Sequence, residues 1–170
     1  WERVIALSRK EADVLEDPAL RVVLYEEAAR IRLDELLDQD GAAELFGLAL
    51  GLDDTSAASL QFFVAHHFDN EAWDAAATVF AAYESVIEAM EIEDDDDARI
   101  EATAYQYKFG VVLLKTNNGP GALKRFARAL DITPTHLPSL EEAAPRYFDA
   151  GDLEKARAVF RSILRLRGGT

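Results

Sequence analysis

No cysteine occurs among the 170 residues, which excludes disulfide frameworks, thiolate nucleophiles and zinc sites built on cysteine. No apolar run approaches the roughly 18 to 20 residues that a membrane helix needs, and 29% of the side chains are charged, so no membrane partner is expected. Basic residues are scarce, 18 Lys plus Arg against 32 Asp plus Glu, for a net charge of −14. Naked nucleic acid usually requires a basic face and is not an expected partner. Strand signals are thin, with no Asn-Gly turn between alternating apolar runs and only short Val-Ile-Thr-rich stretches. A Gly-rich phosphate loop and a nucleophile elbow are both missing, so a hydrolase or nucleotide-binding reading has no residues to rest on. The expectation is a protein that is not an enzyme, with no cofactor and no metal. No signal peptide opens the chain, and a start at Trp1 rather than Met suggests a piece of a longer protein.

What is present is alanine and helical periodicity. A hydrophobic fraction of 49% is enough for a core, and the length suits one domain or one stretch of an array. Alanine occurs 29 times, and apolar positions recur at three and four, as in Leu24, Ala28, Ile31 or Phe109, Val112, Leu113. Breaks fall at Asp17-Pro18, Asp40-Gly41, Asp53 to Ser56, Asp69-Asn70, Asp94 to Asp97, Asn117 to Gly121, Thr133 to Pro138 and Gly151-Asp152. They leave about nine helical segments of ordinary length. Asn117-Asn118-Gly119 suits a helix end, Pro120 the next first turn and Asp152 an N-cap, with Arg161, Arg165 and Arg167 near the negative end of the last helix. Charge is polarised along the chain. Residues 1–102 carry 7 basic and 26 acidic side chains, net −19, whereas residues 103–170 carry 11 and 6, net +5.

Self-similarity is the strongest signal. Ala122, Phe126 and Pro134 read A-x3-F-x7-P, and Ala156 and Phe160 repeat the first two 34 residues later. Ala42 and Phe46 precede Ala76 and Phe80 by the same 34, while Ala76 to Ala122 is 46, which places a 12-residue insertion in the acidic stretch Glu91 to Ala102. This pattern resembles the tetratricopeptide repeat family, a 34-residue helix-turn-helix with Leu-Gly and Tyr in its first helix, Ala-x3-Phe in its second and a closing Pro. Residues 103–136 match best, with Phe109-Gly110 at the Leu-Gly pair, then Ala122, Phe126, Ala129 and Pro134. Residues 137–170 supply Tyr147, Ala156 and Phe160, with Ala143-Ala144 replacing Leu-Gly. Residues 57–90 supply Leu60, Phe63, Ala76 and Phe80, with His67 at the Tyr position, and residues from about 20 to 54 supply Ala42, Phe46 and Ala49. The implied fold is an all-α right-handed solenoid of about four repeats (18–54, 55–90, 91–136 with the insertion, 137–170) behind a half repeat at 1–16.

Packing logic points the same way. A recurring Ala lets the two helices of a unit approach, and the Phe four residues on fills the space toward the next unit. Trp1 to about Leu15 reads as the second helix of a preceding repeat, while Val159, Ile163 and Leu166 would face a following one. Polar caps normally close solenoid ends, and neither end reads as one, so self-association through exposed ends is expected if the array does not continue.

The resemblance places function on a concave groove lined by each first helix: Glu26, Glu27 and Arg30, then Gln61, Phe62, Ala65 and Phe68, then Tyr107, Lys108, Val111 and Lys115, then Glu141, Glu142 and Phe148. Such a mixture of aromatics and charges suits a peptide or helical segment of another protein. The alternatives are a groove filled by the protein's own flanks, a spacer or oligomerisation segment, and a peptide sensor fused to an effector. Family members that grip a C-terminal carboxylate use a Lys and Asn clamp, and Gln61, Ala65, Phe62, Tyr107 and Val111 do not supply it. The run Glu91, Glu93 and Asp94 to Asp97 lacks calcium-loop spacing and reads as a loop leading into a negative helix start. Adjacent His66 and His67 point about 100° apart on a helix and cannot chelate one metal as an i, i+4 pair would. Arg157, Arg161 and Arg165 form a ridge near Lys124, Arg125 and Arg128, either a solvated face or a dock for an acidic partner. Pro145 falls mid-helix and should kink it or delay its start. An excess of Arg over Lys, 13 against 5, points to a GC-rich bacterium, and the setting expected is cytoplasmic.

Overall fold

Seven loops carry a side chain that accepts from the free N–H groups of the helix behind it, and these caps set where the chain turns helical. Asp17 bonds the N–H of Ala19, Asp38 that of Gly41, Ser56 that of Ser59, Asp95 those of Asp97 and Ala98, Asn118 that of Gly121, His136 that of Ser139 and Asp152 that of Lys155. The computed structural model describes residues 1–168 and contains nine helices and no strand among them. They are α1 (Glu2–Val14), α2 (Pro18–Glu35), α3 (Gln39–Leu50), α4 (Ala57–Asp69), α5 (Trp73–Glu88), α6 (Asp96–Lys115), α7 (Gly119–Ile132), α8 (Leu137–Asp149) and α9 (Leu153–Gly168). No described helix is long and apolar enough to cross a membrane.

One break lies earlier than the sequence suggests. Asp40 and Gly41 sit inside the first turn of α3, because Asp38 is the cap and Leu37 makes the turn with φ of 53°. A Cβ at Gly41 would lie 2.3 Å from an Asp38 carboxylate oxygen, so any larger residue there would make the capping side chain shift. Between α5 and α6 the loop is acidic, and Asp95, Asp96 and Asp97 form the cap and first turn of α6, where negative charge is favourable. Helix α8 starts at Leu137 and runs through Pro145, so the proline does not delay its start. Proline leaves the Glu141 carbonyl without its helical donor, and the next carbonyl, that of Glu142, accepts from the Arg146 guanidinium at 2.5 Å.

The chain divides into two compact units. Unit 1 comprises Trp1–Ala72 and Thr78–Tyr83, and unit 2 comprises Trp73–Ala77 and the chain from Glu84 onward. Within unit 1, α1 packs on α2, α2 on α3 and α3 on α4. Its core joins Ile5 and Ala12 to Tyr25, Ala28 and Ala29, then to Ala42, Leu45, Phe46 and Ala49, and the Tyr25 hydroxyl donates to Asp13 at 2.7 Å. Within unit 2, α6 packs on α7, α7 on α8 and α8 on α9.

The Ala-x3-Phe register is visible in the burial. Ala42, Ala76, Ala122, Ala156, Phe46, Phe80 and Phe126 are all buried, whereas Phe160 is 45% exposed. Phe126 shows why small and large side chains alternate. Its ring lies against the backbone of α6 at Gly110, where a Cβ would come within 2.5 Å of the ring, and it joins Ala122 and the α8 residue Ala143 in one cluster. On α9 the phase differs from the sequence expectation. Val159 and Ile163 pack on Leu140 and Ala144 of α8 instead of facing outward. Together with buried Ala156 they lie at i, i+3 and i+7 on the face toward α8, which leaves Leu153, Phe160, Leu164 and Leu166 exposed.

Candidate functional site

The groove residues expected from sequence all fall on α2, α4, α6 and α8, but they do different things. In unit 1, Glu26 is a structural anchor. Its carboxylate accepts from the hydroxyls of Ser56 and Ser59, the latter at 2.7 Å, and so ties α2 to the start of α4. Phe62 is half-buried and stacks on Phe46 with centroids 4.6 Å apart, and the Phe68 ring lies 6.3 Å from that of Phe80. Glu27, Arg30, Gln61 and Ala65 are exposed. The His67 ring stacks on Phe63 at 5.3 Å, and burial, then the charge of His66, holds its pKa below the ordinary value.

In unit 2, Tyr107 is half-buried with its ring 6.0 Å from Phe126 and 5.4 Å from His136. Burial pushes its hydroxyl pKa up, and the carboxylates of Glu142 and Glu141 push it further. Tyr107 packs on the cluster that holds Ala143 of α8, so these faces of α6 and α8 are neighbours. Val111 packs on the Phe126 cluster. Lys108 is half-buried, and exposed Lys115 sits 5.3 Å from the ring centroid of Trp73, a cation–π contact. Glu141 pairs with Arg167, and Glu142 pairs with Arg146 at 2.7 Å. Phe148 projects outward, 60% exposed. Glu26, Phe62, Phe68, Tyr107 and Val111 therefore serve packing first, while Glu27, Arg30, Gln61, Ala65, Lys115 and Phe148 offer surface.

Two features have no signature in the sequence. The first is a clamp of Glu84, at the end of α5, with Arg125 and Arg128 of α7. Arg125 grips the carboxylate with both terminal nitrogens, one at 2.9 Å, and lies over the Phe109 ring at 4.2 Å, while Arg128 bonds the same carboxylate. The hydrogen bond from Arg125 leads the causes that hold the Glu84 carboxyl below its usual range. Arg125 and Arg128 are thus occupied within the fold. Arg157, Arg161 and Arg165 are exposed and make no ion pair among the described residues. The second feature is a cleft of about 510 Å³ where Gly119, Pro120, Leu123 and Ala127 of α7 face Tyr147 and Ala150 across from them, with Lys124 and Lys155 at its edge.

No family model and no curated protein matches the chain. Solved structures do. MamA AMB-1 matches with a TM-score of 0.64 and 18% identity over 99% of this chain and 90% of that one. MamA residues 41 to the end from Desulfovibrio magneticus RS-1 matches with a TM-score of 0.60 and 15% identity over 98% and 96%. BtubC from P. vanneervenii matches with a TM-score of 0.61 and 19% identity over 98% and 72%. At this identity the likeness shows the fold alone, and that fold is an all-α solenoid of helical repeats.

Proposed function

We propose that the chain is a non-catalytic scaffold of tetratricopeptide type, which holds a peptide or helical segment of another protein against the outward faces of its first helices. The observation that carries this reading is the neighbouring of α6 and α8 in unit 2. Together they present Lys108, Lys115, Glu141, Glu142 and Phe148 on a rigid frame whose packing is already satisfied by Tyr107 and Val111. Mixed charge around an exposed aromatic is what segment recognition uses. The similar solved structures support a helical repeat frame for it. The test avoids Phe62 and Tyr107, whose loss would open the core. Affinity capture from cell lysate with the chain and with a Lys115→Glu, Phe148→Ala variant should yield a protein held by the first and lost by the second. Equal capture by both would sink the reading.

A second reading is self-association through α1. Its outer face carries Val4, Val14 and Leu7, the last 66% exposed, in a row at helical spacing. Sedimentation velocity should then show a dimer that Leu7→Glu dissolves, and a monomer at every concentration would remove this reading.

A further inference from the structure

Helix α9 repeats α7 thirty-four residues on, so α7 and its cover show what the outer face of α9 is shaped to receive. Ala122, Phe126 and Leu130 correspond to Ala156, Phe160 and Leu164. On α7 this ridge is covered by α8. Phe126 is fully buried, Ala143 joins its cluster, Leu123 and Leu130 pack beside it, and the Arg146 guanidinium stands 5.6 Å from its ring. On α9 Ala156 is buried toward α8, but the ridge beyond it is open, with Leu164 70% exposed and Leu153 and Phe160 also exposed.

Leu123 and Ala127, which line the cleft with Tyr147 of α8 and Ala150 just beyond its end, become Arg157 and Arg161. Arg125, Arg128, Arg146 and Arg167 each hold a carboxylate, whereas Arg157, Arg161 and the next-turn Arg165 hold none among the described residues. An apolar helix laid over Phe160 would strand these guanidinium groups out of water, which is strongly unfavourable unless each meets a carboxylate. A second copy docking through α1 would bring its exposed row Val4, Leu7 and Val14 to α9 with two cations, Arg3 and Lys10, on one flank and a single carboxylate, Glu11, on the row itself, too few carboxylates for three arginines.

We infer that the outer face of α9 is a docking site for an acidic amphipathic helix of another protein. The occupant lies antiparallel as α8 does on α7, with a small residue over Phe160, as Ala143 lies over Phe126, and carboxylates one and two turns further on, opposite Arg161 and Arg157. This site is separate from the first-helix faces and stands or falls without them.

The probe is a labelled peptide of residues 137–150 made with Pro145→Ala, Tyr147→Glu and Ala150→Glu, beside a second made with Pro145→Ala, Tyr147→Lys and Ala150→Lys. Fluorescence anisotropy on the whole chain at low salt should show the Glu peptide binding at least about tenfold more tightly than the Lys peptide. The Arg157→Glu, Arg161→Glu chain should reverse that preference, and Phe160→Ala should weaken the Glu peptide. All three residues are exposed, so these variants keep the fold, which circular dichroism checks. Equal binding of the two peptides, no binding, or binding indifferent to the arginine reversal overturns the inference. So does a dimer of the chain alone that the reversal dissolves, which makes the occupant a second copy, or reversal-sensitive binding to phosphatidylserine vesicles without peptide discrimination, which makes it a lipid surface.

Discussion

Gly110 and Phe126 illustrate how one position dictates another. The Phe126 ring occupies the place where a Gly110 side chain would begin, so Gly110→Ala should cost about 1 to 3 kcal/mol by overpacking. Phe126→Ala should cost about 3 to 5 kcal/mol by leaving a cavity. The two are coupled, because removing the ring makes room for the methyl. Urea denaturation of the double variant should show a loss clearly smaller than the two single losses combined, and strict additivity would mean that the ring and glycine do not meet. His136 offers a pH test at the same scale. Its Nδ1 lies 2.7 Å from the Ser139 hydroxyl and accepts from the Ser139 N–H as the cap of α8, and burial holds its pKa below the ordinary 6.5. A histidine with a lowered folded pKa contributes stability that is present above about pH 6.5 and lost as pH falls through the folded value. His67 shifts in the same direction, so His136→Asn, which keeps a capping acceptor, should reduce the slope of stability between pH 7 and 5 without abolishing it. An unchanged slope would assign the effect to His67 and other groups.

Elements differ in how much they lean on their neighbours. Phe126 and Phe160 occupy equivalent places on α7 and α9, yet one is fully buried and the other 45% exposed. Phe160→Ala should therefore cost less than about 1 kcal/mol where Phe126→Ala costs several times more, and equal losses by chemical denaturation would show α9 covered in solution. The clamp of Glu84 on α7 works at this scale too. Glu84 and Arg125 side chains are only 24% and 17% exposed, so Arg125→Ala, which leaves the carboxylate without its main partner, should cost about 1.5 to 3 kcal/mol. Because the clamp lowers the Glu84 pKa, its contribution is present above the carboxyl's ordinary value of 4.5 and fades as pH falls through the lower folded value. An Arg125→Ala loss that is as large at pH 3 as at pH 7 would assign it to lost packing on Phe109 instead.

Across the whole molecule, excess negative charge dominates. Unit 1 holds 6 basic and 16 acidic side chains, and unit 2 holds 12 and 16, nets of −10 and −4. Self-repulsion of this size weakens the compact state and is screened by salt. Raising sodium chloride from about 20 to 200 mM should raise the midpoint of urea unfolding, and hydrogen exchange should show more added protection in α1 to α3 than in α6 to α9. A midpoint that falls with salt would mean that the ion pairs outweigh the repulsion.

Much of the architecture was legible before any coordinates. Nine helices, the 34-residue step and the Ala-x3-Phe register follow from local periodicity and capping chemistry, which act within a few residues and so leave a mark in the chain order. Asp17, Asp95 and Asp152 announce helix starts in the same local way. What only the tertiary structure decided are the contacts between elements. Glu26, placed by sequence in a groove, spends its carboxylate on Ser56 and Ser59, thirty and thirty-three residues away, and Phe62 turns onto Phe46. Arg125 and Arg128 find Glu84 more than forty residues back, whereas Arg157 and Arg161 reach no carboxylate among the described residues. Such pairings depend on the angle at which helices cross and on which rotamer reaches across the gap, neither of which the periodicity of one segment encodes. For the same reason α9 could be recognised as a helix from its sequence, while the direction in which Phe160 faces had to wait for α8 to take up Val159 and Ile163.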